Sequence, residues 1–143
     1  MTTTKSSTIL LTIVDNGFIL VPARINNIAV YMILDTGANH SVIDKEFCNT
    51  LFTNPIEHNI KGIGATGVNE NSHTIEIYTL ELLNSYDSKT KILTEKNIHC
   101  FVLDLSYAMV QISDAYNIIG IIGNDVLIKH KVIIDLKQNL LMI

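Results

Sequence analysis

The sequence predicts an all-β domain of short strands with one or two short helices. Three observations carry that expectation. The chain is 48% hydrophobic and rich in isoleucine, leucine and valine, with 6% aromatics and no tryptophan, and β-branched aliphatic residues suit strands better than a helical bundle. Its apolar runs are short and stop at clusters of Gly, Asn and Asp. One run, Ile28 to Leu34, is apolar at nearly every position, as in a strand buried on both faces. A length of 143 residues fits one domain. Residues 9–143 are expected to form it, behind a flexible segment 1–8.

Along the chain, Ile9–Val14 and Phe18–Arg24 read as strands joined at Asp15-Asn16-Gly17. Asn26-Asn27 marks a tight turn into the run 28–34, which ends at Asp35-Thr36-Gly37-Ala38-Asn39. Ser41–Ile43 is a short strand, and Asp44–Phe52 a short helix with Asp44 as its N-cap. Residues 58–73 are glycine- and asparagine-rich, centred on Gly62-Ile63-Gly64-Ala65-Thr66-Gly67. Strands are expected over 73–83 and 97–105, with a hairpin turn over 84–91. After the irregular stretch 106–117 comes a second buried run, Ile118–Ile122, closed by Gly123-Asn124-Asp125. A short helix over 126–130 then precedes strands 131–136 and 140–143, which flank a Lys137-Gln138-Asn139 turn.

Charge and cysteine usage exclude several function classes. A net charge of -4 with 10 basic residues leaves no electrostatic footprint for nucleic acid or an anionic membrane. Cys48 and Cys100 sit in apolar surroundings and read as buried, inert thiols. The apolar run 9–14 is too short for a signal peptide, and no stretch approaches the roughly 20 residues of a membrane span. A cytoplasmic location is the expectation.

The chemistry concentrates where the buried strand runs into Asp35. Thr36 adds a hydroxyl, Gly37 lets backbone amides approach the carboxylate, and Ala38 keeps the loop narrow. A carboxyl placed directly after such a strand is expected to be poorly solvated. Alone, Asp-Thr-Gly is a common turn tripeptide. About 80 residues later, Ile121-Ile122-Gly123-Asn124-Asp125-Val126-Leu127 supplies an apolar strand end, a glycine pivot and a helix start.

Together, Ile33-Leu34-Asp35-Thr36-Gly37-Ala38 and Ile121–Leu127 resemble the two signature elements of the retropepsin-like aspartic proteases. The resemblance spans about residues 9–143. It implies a closed barrel or sandwich, a catalytic Asp35 with Thr36, Gly37 and Ala38 supporting its loop, and Ile122, Gly123, Asn124 and Asp125 packing against that loop. It also implies a flap hairpin at Gly62, Ile63, Gly64, Ala65, Thr66 and Gly67. Asn39 departs from the Ser, Thr or Asp more usual after the motif. The chemistry needs two carboxyls sharing one proton, and the chain has one Asp-Thr-Gly. A two-fold homodimer placing Asp35 against its copy is the simplest completion, acting on a polypeptide with no metal or organic cofactor.

Rival readings are weaker. Gly62–Gly67 spells G-x-G-x-x-G, but strand chemistry comes next where a dinucleotide site needs a helix. His40, His58, His73, His99 and His130 lack metal-ligand spacing. Asn39-His40-Ser41 is a formal glycosylation sequon inside the motif loop, taken as coincidence. Asp44, Asp125 and Asp135 read as turn caps, Asp125 alternatively as partner to a basic side chain. The competing function is a catalytically inactive peptide-binding or dimerisation module of the same fold.

Overall fold

The computed structural model describes residues 7–51, 58–63, 69–106, 112 and 115–143. Strands β1 (Thr8–Leu10), β2 (Thr12–Ile13), β3 (Ile19–Ile25), β4 (Ile28–Leu34) and β5 (Val42–Asp44) precede helix α1 (Lys45–Leu51). Then come β6 (His58–Ile63), β7 (Asn69–Leu83), β8 (Lys91–Leu103) and β9 (Ile118–Ile122), followed by helix α2 (Asn124–Leu127) and strands β10 (Ile133–Asp135) and β11 (Leu140–Met142). Eight strands form one sheet in the order β2-β3-β4-β9-β5-β8-β7-β6. Pairing of β3 with β7 closes six of them, β3 through β7 in that order, into a barrel. A separate sheet, β1-β11-β10, lies beside it. Among the described residues no helix is long and apolar enough to cross a membrane.

The turn chemistry acts where the sequence places it. Gly17 has φ +81° in the β2–β3 connection, and its N–H donates to Val14 O at 2.8 Å. Asn26 and Asn27 both take positive φ, 44° and 70°, in the β3–β4 hairpin, as a two-residue turn between right-twisted strands requires. Ile25, Val30, Met32, Ile43, Ile77, Leu80 and Leu82 fill the barrel core with no more than 1% of their surface exposed. Gly120 on β9 lies opposite Ile43 of β5, where an added Cβ would stand 2.3 Å from Val42 O. The close approach of those two strands therefore requires glycine.

Three sequence expectations are corrected. The strand expected over 9–14 splits at Leu11: its first half joins the small sheet and its second half the large one. The buried Leu11 bonds instead through its N–H to Asn139 O. Strand β8 starts at Lys91, six residues before the expected Asn97, because cross-strand pairing to β7 overrides a polar, charged sequence. Asp44, by contrast, ends β5 directly before α1, the N-cap position expected of it, and its carboxylate also accepts from Leu105 N–H at 2.9 Å, which anchors the chain after β8. Helix α2 begins two residues early, at Asn124. The cysteines are as expected: both are buried and free, and burial pushes the Cys48 thiol up to about 12 and raises Cys100 as well.

The charged residues that mask β8 have a tertiary partner. Glu95 is almost fully buried and bonds His130 Nε2 and Lys129 Nζ just beyond α2, with Nζ 2.9 and 3.0 Å from its two oxygens. Burial alone would raise the Glu95 pKa, but hydrogen bonds from His130 and Lys129, then their charges, hold it below the usual carboxylate value of 4.5. A carboxyl whose pKa is lower folded than unfolded stabilises the fold above the unfolded value and loses that contribution as pH falls through the folded one. Urea titrations between about pH 5 and 3 should therefore show wild-type stability falling more steeply than that of Glu95→Gln. Parallel curves would show that the cluster contributes nothing.

Candidate active site

The site begins with the parallel pairing of β4 and β9, in which Met32, Ile33 and Leu34 lie opposite Gly120, Ile121 and Ile122. This pairing continues one step past the strand end, where Asp35 N–H donates to Ile122 O at 3.1 Å. The chain then turns back on itself, Ala38 N–H donating to Asp35 O at 3.2 Å. Gly37 N–H points into the turn and donates to Asp35 Oδ1 at 2.8 Å. A Cβ on Gly37 would lie 3.1 Å from that oxygen, so glycine gives the carboxylate an amide donor and room beside it. Asp35 is half-buried, while Thr36 and Gly37 are exposed. That corrects the expectation of a poorly solvated carboxyl: the strand is buried, but the loop surfaces immediately after Leu34.

The second motif braces this loop from behind. Gly123 comes directly after β9, and a Cβ there would stand 2.8 Å from both Ala38 O and His40 O. With glycine, α2 starts directly against the loop. Asn124 then holds it twice, through backbone N–H to Ala38 O at 2.8 Å and side-chain Nδ2 to Thr36 O at 2.7 Å. Asp125 serves amides and a hydroxyl in place of the basic side chain considered for it. Its carboxylate accepts from Ser41 N–H (2.9 Å), Ser41 Oγ (2.8 Å) and Val126 N–H (3.0 Å). Ser41 Oγ in turn accepts from Gly123 N–H at 3.0 Å.

Two segments 82 or more residues apart in sequence are thereby fastened into one unit. Asp35, Thr36 and Ala38 meet Ile122, Gly123 and Asn124, while Asp125 reaches Ser41 just past the loop. Ser41 is the residue that sequence reasoning missed, reading it only as strand and sequon. Its one sequence signal is a hydroxyl at the start of an otherwise apolar strand; its complete burial belongs to the fold. Asp135, by contrast, caps its turn as expected, accepting from Lys137 and Gln138 N–H.

Of the glycine-rich segment, Gly62 and Ile63 end β6, which pairs antiparallel with β7 so that Gly62 is opposite Glu70 and Ile63 opposite Asn69. Gly64, Ala65, Thr66 and Gly67 lie outside the described residues. The segment is flanked by strand on both sides, against the dinucleotide reading, which needs a helix opening at its last glycine.

The brace has a measurable weight. Ser41→Ala removes one acceptor and one donor from a buried cluster and leaves Gly123 N–H without its partner. It should lower unfolding free energy by about 1–3 kcal/mol in urea titration. Gly123→Ala should cost about as much through overpacking against the loop backbone, and an unchanged midpoint for either would refute the brace.

A family model described as aspartyl protease matches residues 21–126. No curated protein sequence matches significantly. Among solved structures, a retropepsin-like aspartic protease from Rickettsia conorii superposes with a TM-score of 0.60 at 20% identity, over 99% of this chain and 94% of that one. The retroviral protease-like domain of Ddi1 from Leishmania major does so with a TM-score of 0.51 at 21% identity, over 86% and 91%. The barrel, the braced Asp-Thr-Gly loop and the extent of the family match agree: this chain belongs to the aspartyl protease family, with a retropepsin-like all-β fold.

Proposed function

We propose that the chain is an aspartic endopeptidase whose active site forms when Asp35 of two copies meet on a two-fold axis. The observation that carries this reading is the Asp35 loop itself. Its carboxylate is held by Gly37 N–H on a surface-facing turn that β9 and α2 fix from behind. A loop so fixed positions an acid without enclosing it, leaving room for a second carboxyl and a substrate. The sequence contains one Asp-Thr-Gly, and the chemistry needs two acids, so a symmetric pair satisfies the count.

Two carboxyls in contact share one proton, because adjacent negative charges repel. The ionised member takes a proton from a water, whose oxygen attacks the scissile carbonyl carbon. The protonated member donates to the carbonyl oxygen, giving a neutral tetrahedral intermediate. Collapse of that intermediate breaks the C–N bond, with a proton passing to the leaving amine. No step draws on a metal or an organic cofactor. The β6–β7 hairpin acts as a flap over an extended peptide, whose backbone adds to the sheet as a strand.

Asp35→Asn tests the reading most directly. It should preserve the fold and the dimer while lowering peptide cleavage by about 10²–10⁴-fold or more. Retained cleavage would refute the role of Asp35; an inactive wild type against a diverse peptide library at about pH 4–7 would favour a peptide-binding module. Activity should also fall as pH rises and the shared proton leaves. A rate still climbing through alkaline pH would contradict the dyad.

A further inference from the structure

Glu95 stands in an aliphatic row of the barrel. On β8 it follows Leu93 along one face, and across the ladder Leu93 is opposite Leu82 and Glu95 opposite Leu80. The three leucines are buried, and so is Glu95, with 7% of its surface exposed. A leucine at that position would cover the core with no charge to desolvate. Replacing a buried ion pair by packed aliphatic residues often leaves stability unchanged or raises it. Stability alone therefore does not account for a carboxylate here. What the carboxylate adds is direction: apolar contact is non-directional, whereas charge-assisted hydrogen bonds hold their partners to a set distance and angle.

The element so directed is α2. Lys129 Nζ donates to both Glu95 oxygens, and His130 Nε2 bonds one of them. Backbone hydrogen bonds carry that hold into the helix, His130 N–H donating to Val126 O at 3.1 Å and Ile128 N–H to Asn124 O at 3.0 Å. The helix has little of its own to fix its orientation. It is four residues long and has no side-chain N-cap bond, and short helices are marginal by themselves. Lys131, which closes the turn after it, takes φ +50°, a conformation that costs a residue with a Cβ. At the opposite end, Asn124 and Asp125 hold Thr36, Ala38 and Ser41.

We propose that Glu95 is a positioning residue for the Asp35 loop: through Lys129 and His130 it sets the orientation of α2, and α2 sets the loop. The inference rests on the endopeptidase reading for its effect on cleavage, while its effect on the loop is measured without any substrate. Loss of the carboxylate should loosen the loop even where the barrel stays as stable as before.

Glu95→Leu and Glu95→Gln test this through urea unfolding, amide hydrogen exchange and cleavage of a peptide that the wild type cuts. Leucine fills the site without hydrogen bonds, and glutamine keeps one acceptor oxygen. At neutral pH, Glu95→Leu should keep a urea midpoint near that of the wild type. Exchange at the Ser41, Gly123 and Asn124 amides, where loop and α2 join, should quicken about tenfold, while the β3–β4 amides keep their wild-type rates. Glu95→Gln should fall between wild type and Glu95→Leu, and kcat should drop in the same order with KM nearly unchanged. Unchanged exchange at the three amides would overturn the inference. So would a quickening shared equally by the β3–β4 amides, which would make Glu95 a structural group only. Should Glu95→Leu fail to fold, the same comparison in Glu95→Gln decides. Selective loosening in a chain whose wild type cleaves no peptide would sink the endopeptidase reading and keep this role for Glu95. Full protection in variants, with cleavage that still depends on Asp35, would do the reverse.

Discussion

The parallel contact between β4 and β9 governs the geometry of the whole site. It puts the last residue of one buried strand, Leu34, beside the last residue of another, Ile122. Both chains then leave the barrel at the same point. The loop leaving β4 must fit against the helix leaving β9, and two glycines resolve that crowding. Gly123 admits the Ala38 and His40 carbonyls, and Gly37 makes room for the Asp35 carboxylate. The acid is thus placed by backbone geometry more than by its own contacts.

A second layer keeps that placement rigid. Ser41 stands between Gly123 N–H and the Asp125 carboxylate, both donating and accepting. Asn124 bridges back to two carbonyls of the loop. Such a network, satisfied at each of these positions, favours one loop conformation over near alternatives. It extends outward through α2 to Lys129 and His130, which grip Glu95 on β8. The short helix therefore ties the loop to the far wall of the barrel, a connection that a four-residue element does not make by propensity.

The same architecture separates stability from assembly. The aliphatic barrel closes on itself, and the small sheet uses both ends of the described chain. Under the proposed dyad, the unmet requirement is chemical and not structural: one acid where that reaction needs two.

Local features were legible wherever a single side chain or turn decided the outcome. The Asn26-Asn27 turn, the buried run through Leu34, the Asp-Thr-Gly loop and the glycine after Ile122 all arise from steric and hydrophobic rules acting within a few residues. Leu11 and the start of β8 were misjudged because each depends on a distant neighbour: Asn139 and the β7 strand. Ser41 was missed for the same reason, since its partners come from more than 80 residues away. Which acid and which glycines could build the loop was readable from residue type and spacing, because those properties are local. That the acid emerges half-covered on a braced turn had to await the folded chain, because burial and pairing are set by strands that meet across its full length.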